Sequence, residues 1–240
     1  MGRSSARTRV LGHRGAPRAA PENTLASFAA AREQGADGVE LDVHRTADGV
    51  LVVHHDADAP GVGVLAEQPY ARVHELLPGV PTLEAALDAC RGLLVNIEIK
   101  NSPGDADFDP DERAAYDVVA LYGARDEADD VIVSSFHLPT IDCVRALHAE
   151  IPTGYLTVVH PPALDAIELA AQHEHNAWHP LCGVLAGDDA ASLVNAAHHS
   201  GLELNTWTVD DPAMAARLSD LGVDAVITNT PAEIIAALRS

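Results

Sequence analysis

Eight times along the 240-residue chain, a short apolar run gives way to an alanine-rich amphipathic segment. The runs are Val10–His13, Gly38–Val43, Leu93–Ile99, Val131–Ser135, Thr153–Val158, Ala177–His179, Glu203–Val209 and Ala225–Thr228. Helical patterns follow at Leu25–Gln34, Leu83–Arg91, Glu112–Tyr122, Pro139–Glu150, Ala163–His173, Ala190–Ser200, Pro212–Leu221 and Ala232–Leu238. Thr82 and Asp211 stand where helix N-caps belong, the latter before a proline suited to a first helical position. Eight strand–helix units in a chain of this length predict one α/β domain over residues 1–240, a closed (β/α)8 TIM barrel rather than an open sheet. Residues 44–81 interrupt the alternation. Asp48-Gly49 predicts a hairpin there, and the Gly- and Pro-containing remainder is expected to lie as an excursion over the active face.

Charge narrows the partners. Fifteen Lys and Arg against 36 Asp and Glu give a formal charge of −21, a field that repels nucleic acid and anionic membranes. An anionic substrate would need local Arg, Lys or metal to reverse the sign. Cys90, Cys143 and Cys182 are odd in number, widely spaced and without a CxxC pair, which predicts reduced thiols rather than a disulfide framework. The basic N-terminal segment lacks an apolar core before His13, so no signal peptide is expected. No stretch reaches the ~18 apolar residues of a spanning helix. The expectation is a cytoplasmic protein without stable membrane insertion.

The polar residues inside the apolar runs point to chemistry. In "VELDVH", strand alternation puts Glu40 and Asp42 on one face and Val39, Leu41 and Val43 on the other. In "LVNIEIKN" it groups Asn96, Glu98 and Lys100. Parallel barrel strands bury both faces, so three inward carboxylates need compensation. A hard divalent cation, Mg²⁺ or Ca²⁺, suits oxygen-only ligands; a network with Lys100 and Arg14 is the structural alternative. His13 ends the first strand with Arg14 and Gly15 directly behind it. A guanidinium fork and a close-approaching backbone both suit a phosphate. Most of the 13 histidines are expected to be structural or exposed, among them His148, His173, His175 and His199.

Together, "HRGAPRAAPENTLASF", "GADGVELDVHRTADGVLVVHHD", "VPTLEAAL", "NIEIK", "VIVSSF", "WTVDD" and "GVDAVITNTP" resemble the glycerophosphodiester phosphodiesterases, in the family's order and over nearly the whole chain. The resemblance implies a phosphodiesterase-type barrel and metal-dependent cleavage of a small anionic glycerophosphodiester to glycerol 3-phosphate and an alcohol. It implies His13 and His55 as the general acid/base pair, and Glu40, Asp42 and Glu98 as ligands for Mg²⁺ or Ca²⁺, with Mn²⁺ a third candidate. Arg14 and Lys100 would hold the phosphate. Trp207 and Phe136 follow strand ends, where each either bounds the glycerol or alcohol pocket or packs in the core. The order of the two histidines stays open, as does attack by water or by the substrate's own glycerol hydroxyl. A lysophospholipid substrate and a catalytically idle phosphate-binding barrel are the rival readings. Three positions depart from the family pattern: no Arg-Thr-Thr follows Asp56, His137 replaces a smaller polar residue, and Asn229 stands where Asp is common. These departures leave the metal and acid/base roles intact and bear on substrate specificity.

Overall fold

The computed structural model describes residues 7–125 and 130–239; the first six residues of the basic N-terminal segment lie outside it. Its strands are β1 (Arg9–His13), β2 (Gly38–Arg45), β3 (Leu51–Val53), β4 (Asp58–Ala59), β5 (Gly63–Val64), β6 (Leu94–Ile99), β7 (Val131–Ser135), β8 (Thr153–Thr157), β9 (Ala177–Pro180), β10 (Glu203–Thr206) and β11 (Ala225–Thr228). The helices are α1 (Leu25–Glu33), α2 (Tyr70–Leu76), α3 (Leu83–Ala89), α4 (Arg113–Gly123), α5 (Leu138–Leu147), α6 (Ala163–Gln172), α7 (Ala190–His199), α8 (Pro212–Asp220) and α9 (Pro231–Leu238). Strands β1, β2 and β6–β11 pair in parallel around a ring that the β1–β2 ladder closes. The chain is a (β/α)8 barrel.

Strand alternation sorts the two sides. Val39, Leu41, Val43, Val95, Ile97 and Ile99 face outward against Phe28 and Ala31 of α1, Leu83 and Leu87 of α3, and Val118 of α4. Across the barrel, Trp178, Leu204 and Val226 pack with Ile167, Val194, Leu218 and Ile234 of α6 to α9. Only a small apolar group, including Leu11, Leu94, Ile132 and Ile227, forms a third cluster within the ring. The expected caps form: Thr82 Oγ1 accepts from the Ala85 amide and Asp211 Oδ1 from that of Ala213.

The excursion begins with the expected hairpin. β3 pairs antiparallel with β2, and Gly49 at φ +86° turns the chain between them. Beyond it come the short β4–β5 pair and α2, a helix that the sequence pattern did not reveal. Its seven residues bury Val73 alone, too little for a legible apolar stripe. Among the described residues, no helix is long and apolar enough to cross a membrane.

Candidate active site

The site is built on strand register. His13 is level with Glu40, Glu40 with Asn96, and Asp42 with Glu98. Two adjacent parallel strands, β2 and β6, thus bring the carboxylates of Glu40, Asp42 and Glu98 together, with one oxygen from each inside a 4.8 Å span and all three residues buried. Lys100 follows β6; its ammonium lies 2.9 Å from Glu98 Oε1 and 3.5 Å from Asp42 Oδ1. Every residue expected at the site converges on this end of the barrel.

The segment after β1 is folded by its own motif. Arg14 adopts φ +53° and Gly15 φ +88°. A Cβ on Gly15 would lie 2.6 Å from the Ser27 carbonyl carbon, so glycine there serves the turn and the approach of α1. That is a structural reason for glycine beside the anion-approach reading. Glu22 accepts from Arg14 Nη1 at 2.9 Å, Asn23 Nδ2 donates to Asp42 Oδ2 at 2.8 Å, and Thr24 caps α1 by accepting from the Ser27 amide. Each polar residue of "PENT" therefore has a task. The Arg14 amide donates to Glu40 Oε2 at 3.0 Å, and its Nε lies 3.1 Å from Asp42 Oδ2.

These cations do not fully compensate the acids. Glu40 Oε1 is buried without a hydrogen-bond partner. Burial, reinforced by the charges of Asp42 and Glu98, raises the Glu40 pKa well above the usual carboxylate range. Burial and Asp42 push Glu98 up to about 7, with Lys100 pulling the other way. Burial works against the Lys100 ammonium, but Glu98 and Asp42 outweigh it and raise its pKa. An orphaned carboxylate oxygen beside two other acids, with only oxygen donors converging, fits a hard divalent cation.

Both catalytic candidates border the same pocket, a cavity of about 200 Å³ lined by His13, His55, Glu98, Lys100, Phe136 and Trp207 among others. No other described histidine lines it. Trp207 is anchored by its indole N–H on the His179 carbonyl oxygen at 2.9 Å, and its ring meets Phe136 edge to face at 5.5 Å. The pair makes an apolar wall opposite the charged groups.

A network missed at the level of sequence orients His13. Asn229 Nδ2 donates to Asp210 Oδ2 and its backbone amide to Asp210 Oδ1, both at 2.7 Å. Asn229 Oδ1 therefore faces His13 Nδ1 at 2.8 Å and accepts its hydrogen bond. That fixes the tautomer in which Nε2 carries the lone pair. Burial, with help from Arg14, lowers the His13 pKa against the raising effect of the Asn229 hydrogen bond. His55 has a different setting: its Nδ1 donates to Asp56 Oδ1 at 2.6 Å, and His44 Nε2 lies 3.1 Å from its carbonyl oxygen. The bond from His55 holds the Asp56 carboxyl below its ordinary range.

His148 departs from the helix-surface position expected for it. It is the C-cap of α5, half-buried, with its ring edge-on to Tyr122 at 5.6 Å.

A family model described as the glycerophosphoryl diester phosphodiesterase family matches residues 13–233. A glycerophosphodiester phosphodiesterase of Caldanaerobacter subterraneus subsp. tengcongensis is 30% identical over 97% of this chain and 98% of its own. The crystal structure of a glycerophosphodiester phosphodiesterase from Thermotoga maritima superposes with a TM-score of 0.82 at 27% identity, over 96% of this chain and 98% of that one. A phosphodiesterase of Oleispira antarctica, solved with its product sn-glycerol-3-phosphate, gives a TM-score of 0.82 at 26% identity, with 98% of each chain covered.

Proposed function

The chain belongs to the glycerophosphoryl diester phosphodiesterase family and is a glycerophosphodiester phosphodiesterase; from that premise we propose a metal-dependent mechanism in which His13 is the general base and His55 the general acid. The observation that carries this reading is the convergence of both imidazoles, Arg14, Lys100 and the three carboxylates on one barrel rim, with Glu40 Oε1 buried and unpartnered. Bound among Glu40, Asp42 and Glu98, a divalent cation, Mg²⁺ or Ca²⁺ with Mn²⁺ as a third candidate, supplies positive charge to the phosphoryl oxygens.

The protein side of the reaction follows from the hydrogen bonds. Nε2 of His13 accepts the proton of the nucleophile, either a water molecule or the substrate's own glycerol hydroxyl, while Nδ1 stays tied to Asn229. In the second case water then opens the cyclic phosphate. His55 gives a proton to the leaving alkoxide, and Asp56 presents a full negative charge to the ring as it does so. Arg14 and Lys100 hold the phosphate, and Lys100 also offsets Glu98 and Asp42. Phe136 and Trp207 close the pocket on the side of the glycerol or the alcohol. The oriented charges around the phosphate are the largest catalytic contribution.

Assaying a panel of glycerophosphodiesters for free alcohol and sn-glycerol 3-phosphate, after chelation and with Mg²⁺, Ca²⁺ or Mn²⁺ restored, tests the reading. Turnover should vanish on chelation and return with at least one ion. Full turnover of the chelated protein removes the metal. A lysophospholipid belongs in the panel as the second reading, because Val158, Val159 and Leu164 stand exposed just beyond β8 on the same rim.

Lys100→Met should lower kcat/KM on the order of 10²-fold, since a phosphate contact and a counter-charge vanish together. Lys100→Arg should recover little, because a planar fork does not replace a compact ammonium between two carboxylates. Wild-type kcat/KM in Lys100→Met would remove Lys100 from the site.

A further inference from the structure

A second group of ligating side chains lies at the other end of the barrel, where β8 and β9 begin. His173 caps the C-terminus of α6, and Glu174, at φ +58°, turns the chain so that His175 comes back beside it. The two imidazole rings stack at 6.1 Å with 16° between their planes. Asp142, from the middle of α5, meets both: His173 Nδ1 lies 2.9 Å and 3.0 Å from its two oxygens, and His175 Nε2 lies 3.2 Å from Oδ1.

His175 is the residue that asks for an explanation. Its side chain has no solvent exposure, and Nε2 is buried without a hydrogen-bond partner although Asp142 is only 3.2 Å away. The ring nitrogen thus faces the carboxylate without the alignment of a hydrogen bond. Its other nitrogen, Nδ1, is engaged by the Thr153 hydroxyl at 2.9 Å, the outer contact that fixes the ring of a ligating histidine. A buried imidazole nitrogen aimed at a carboxylate, with a second imidazole alongside, gathers three metal-binding donors at one point.

We infer that Asp142, His173 and His175 form a second cation site, one that takes a borderline divalent ion of the Zn²⁺ class and clamps α5 to the turn between α6 and β9. The three donor atoms lie within 4.8 Å of one another. A tetrahedral ion with ligands at about 2.0–2.1 Å separates its donors by about 3.3 Å, so small side-chain rotations close the set. Two imidazoles and one carboxylate select Zn²⁺, Co²⁺ or Ni²⁺ over Mg²⁺ or Ca²⁺. The all-oxygen cluster of the active rim has the opposite preference, so the two sites sort ions by chemistry. Arg145, three residues after Asp142 on α5, is paired with Glu174 Oε2 at 2.9 Å. Asp142 and His173 are partly exposed, which opens the fourth position to water.

The test is a Zn²⁺ titration of the untagged full chain by calorimetry in excess Mg²⁺, with thermal unfolding alongside. The wild type should take up a Zn²⁺ equivalent that raises its Tm. His173→Ala and Asp142→Asn should each weaken that equivalent by at least about tenfold and lose the Tm gain, while turnover with Mg²⁺ is kept. His199→Ala, on the exposed end of α7, should bind like the wild type. Both main variants sit at partly exposed positions, so they carry the test if the buried His175→Ala fails to fold. The site is overturned by a wild type that takes up no Zn²⁺ in excess Mg²⁺, or by Zn²⁺ uptake and a Tm gain that survive both substitutions.

Discussion

Alanine at His13 or at His55 is expected to lower kcat by about 10²–10⁴-fold, with metal affinity retained in both variants. The two losses should differ in their pH signatures. His13 works as a base only when neutral, and burial with the Arg14 charge lowers its pKa below 6.5. The acidic limb of kcat/KM should therefore fall below 6.5 and disappear in His13→Ala. Asn229→Leu removes the hydrogen bond that raises the His13 pKa, so it should move the acidic limb to still lower pH. It should also cost about tenfold or more in kcat, because the ring loses its hold on one orientation. His199→Ala serves as the silent control, being exposed and bonded to the Asn195 carbonyl oxygen of its own helix. His148 cannot serve, since it packs on Tyr122. Wild-type turnover in His13→Ala would end its assignment, and an unchanged acidic limb in Asn229→Leu would end the role given to the Asp210–Asn229 network.

Much of this site is legible along the chain because strand period is a local property. Alternation alone puts Glu40 with Asp42, and Asn96 with Glu98 and Lys100, on one face. The register that makes Asp42 level with Glu98 comes from ladders between segments some 50 residues apart. The orientation of His13 was out of reach for the same reason, since Asn229 lies 216 residues away and takes its own orientation from Asp210. Gly15 suggested a phosphate because the chemistry of the neighbouring His and Arg was visible and the approach of Ser27 was not. The excursion was unreadable beyond its hairpin because short Gly- and Pro-broken pieces carry no period. His173 and His175 read as ordinary structural or exposed histidines, and the packing of α5 brings Asp142 to them.

Glu40→Gln is expected to cost on the order of 10²–10³-fold in turnover at moderate metal concentration, with partial recovery at high metal, and yet to stabilise the metal-free protein above neutral pH. The two effects have one source. In the metal-free fold, burial and neighbouring charge raise Glu40 well above the carboxylate range and Glu98 from 4.5 to about 7. Below about pH 4.5 both folded and unfolded chains hold these protons, and the carboxyls contribute no pH dependence. Between 4.5 and 7 the unfolded chain releases them while the folded one keeps them, so stability falls as pH rises. Above about 7 the folded protein carries the cost of ionising Glu98 in a buried cluster, on the order of 3 kcal/mol, and the raised Glu40 adds in the same direction. Glutamine at position 40 imitates the protonated acid and avoids its share of that cost, but it surrenders ligand charge. Metal acts in the opposite direction, because it binds the ionised carboxylates and displaces their protons. The Tm gain from Mg²⁺ or Ca²⁺ should therefore be small near pH 5 and grow through pH 7, with proton release visible as a buffer-dependent enthalpy in calorimetry. Asp42→Asn and Glu98→Gln should show the same loss of activity. A metal-induced Tm gain that is flat across this range, or a metal-free Glu40→Gln protein less stable than the wild type at pH 8, would mean that the three acids are compensated by Arg14 and Lys100 alone.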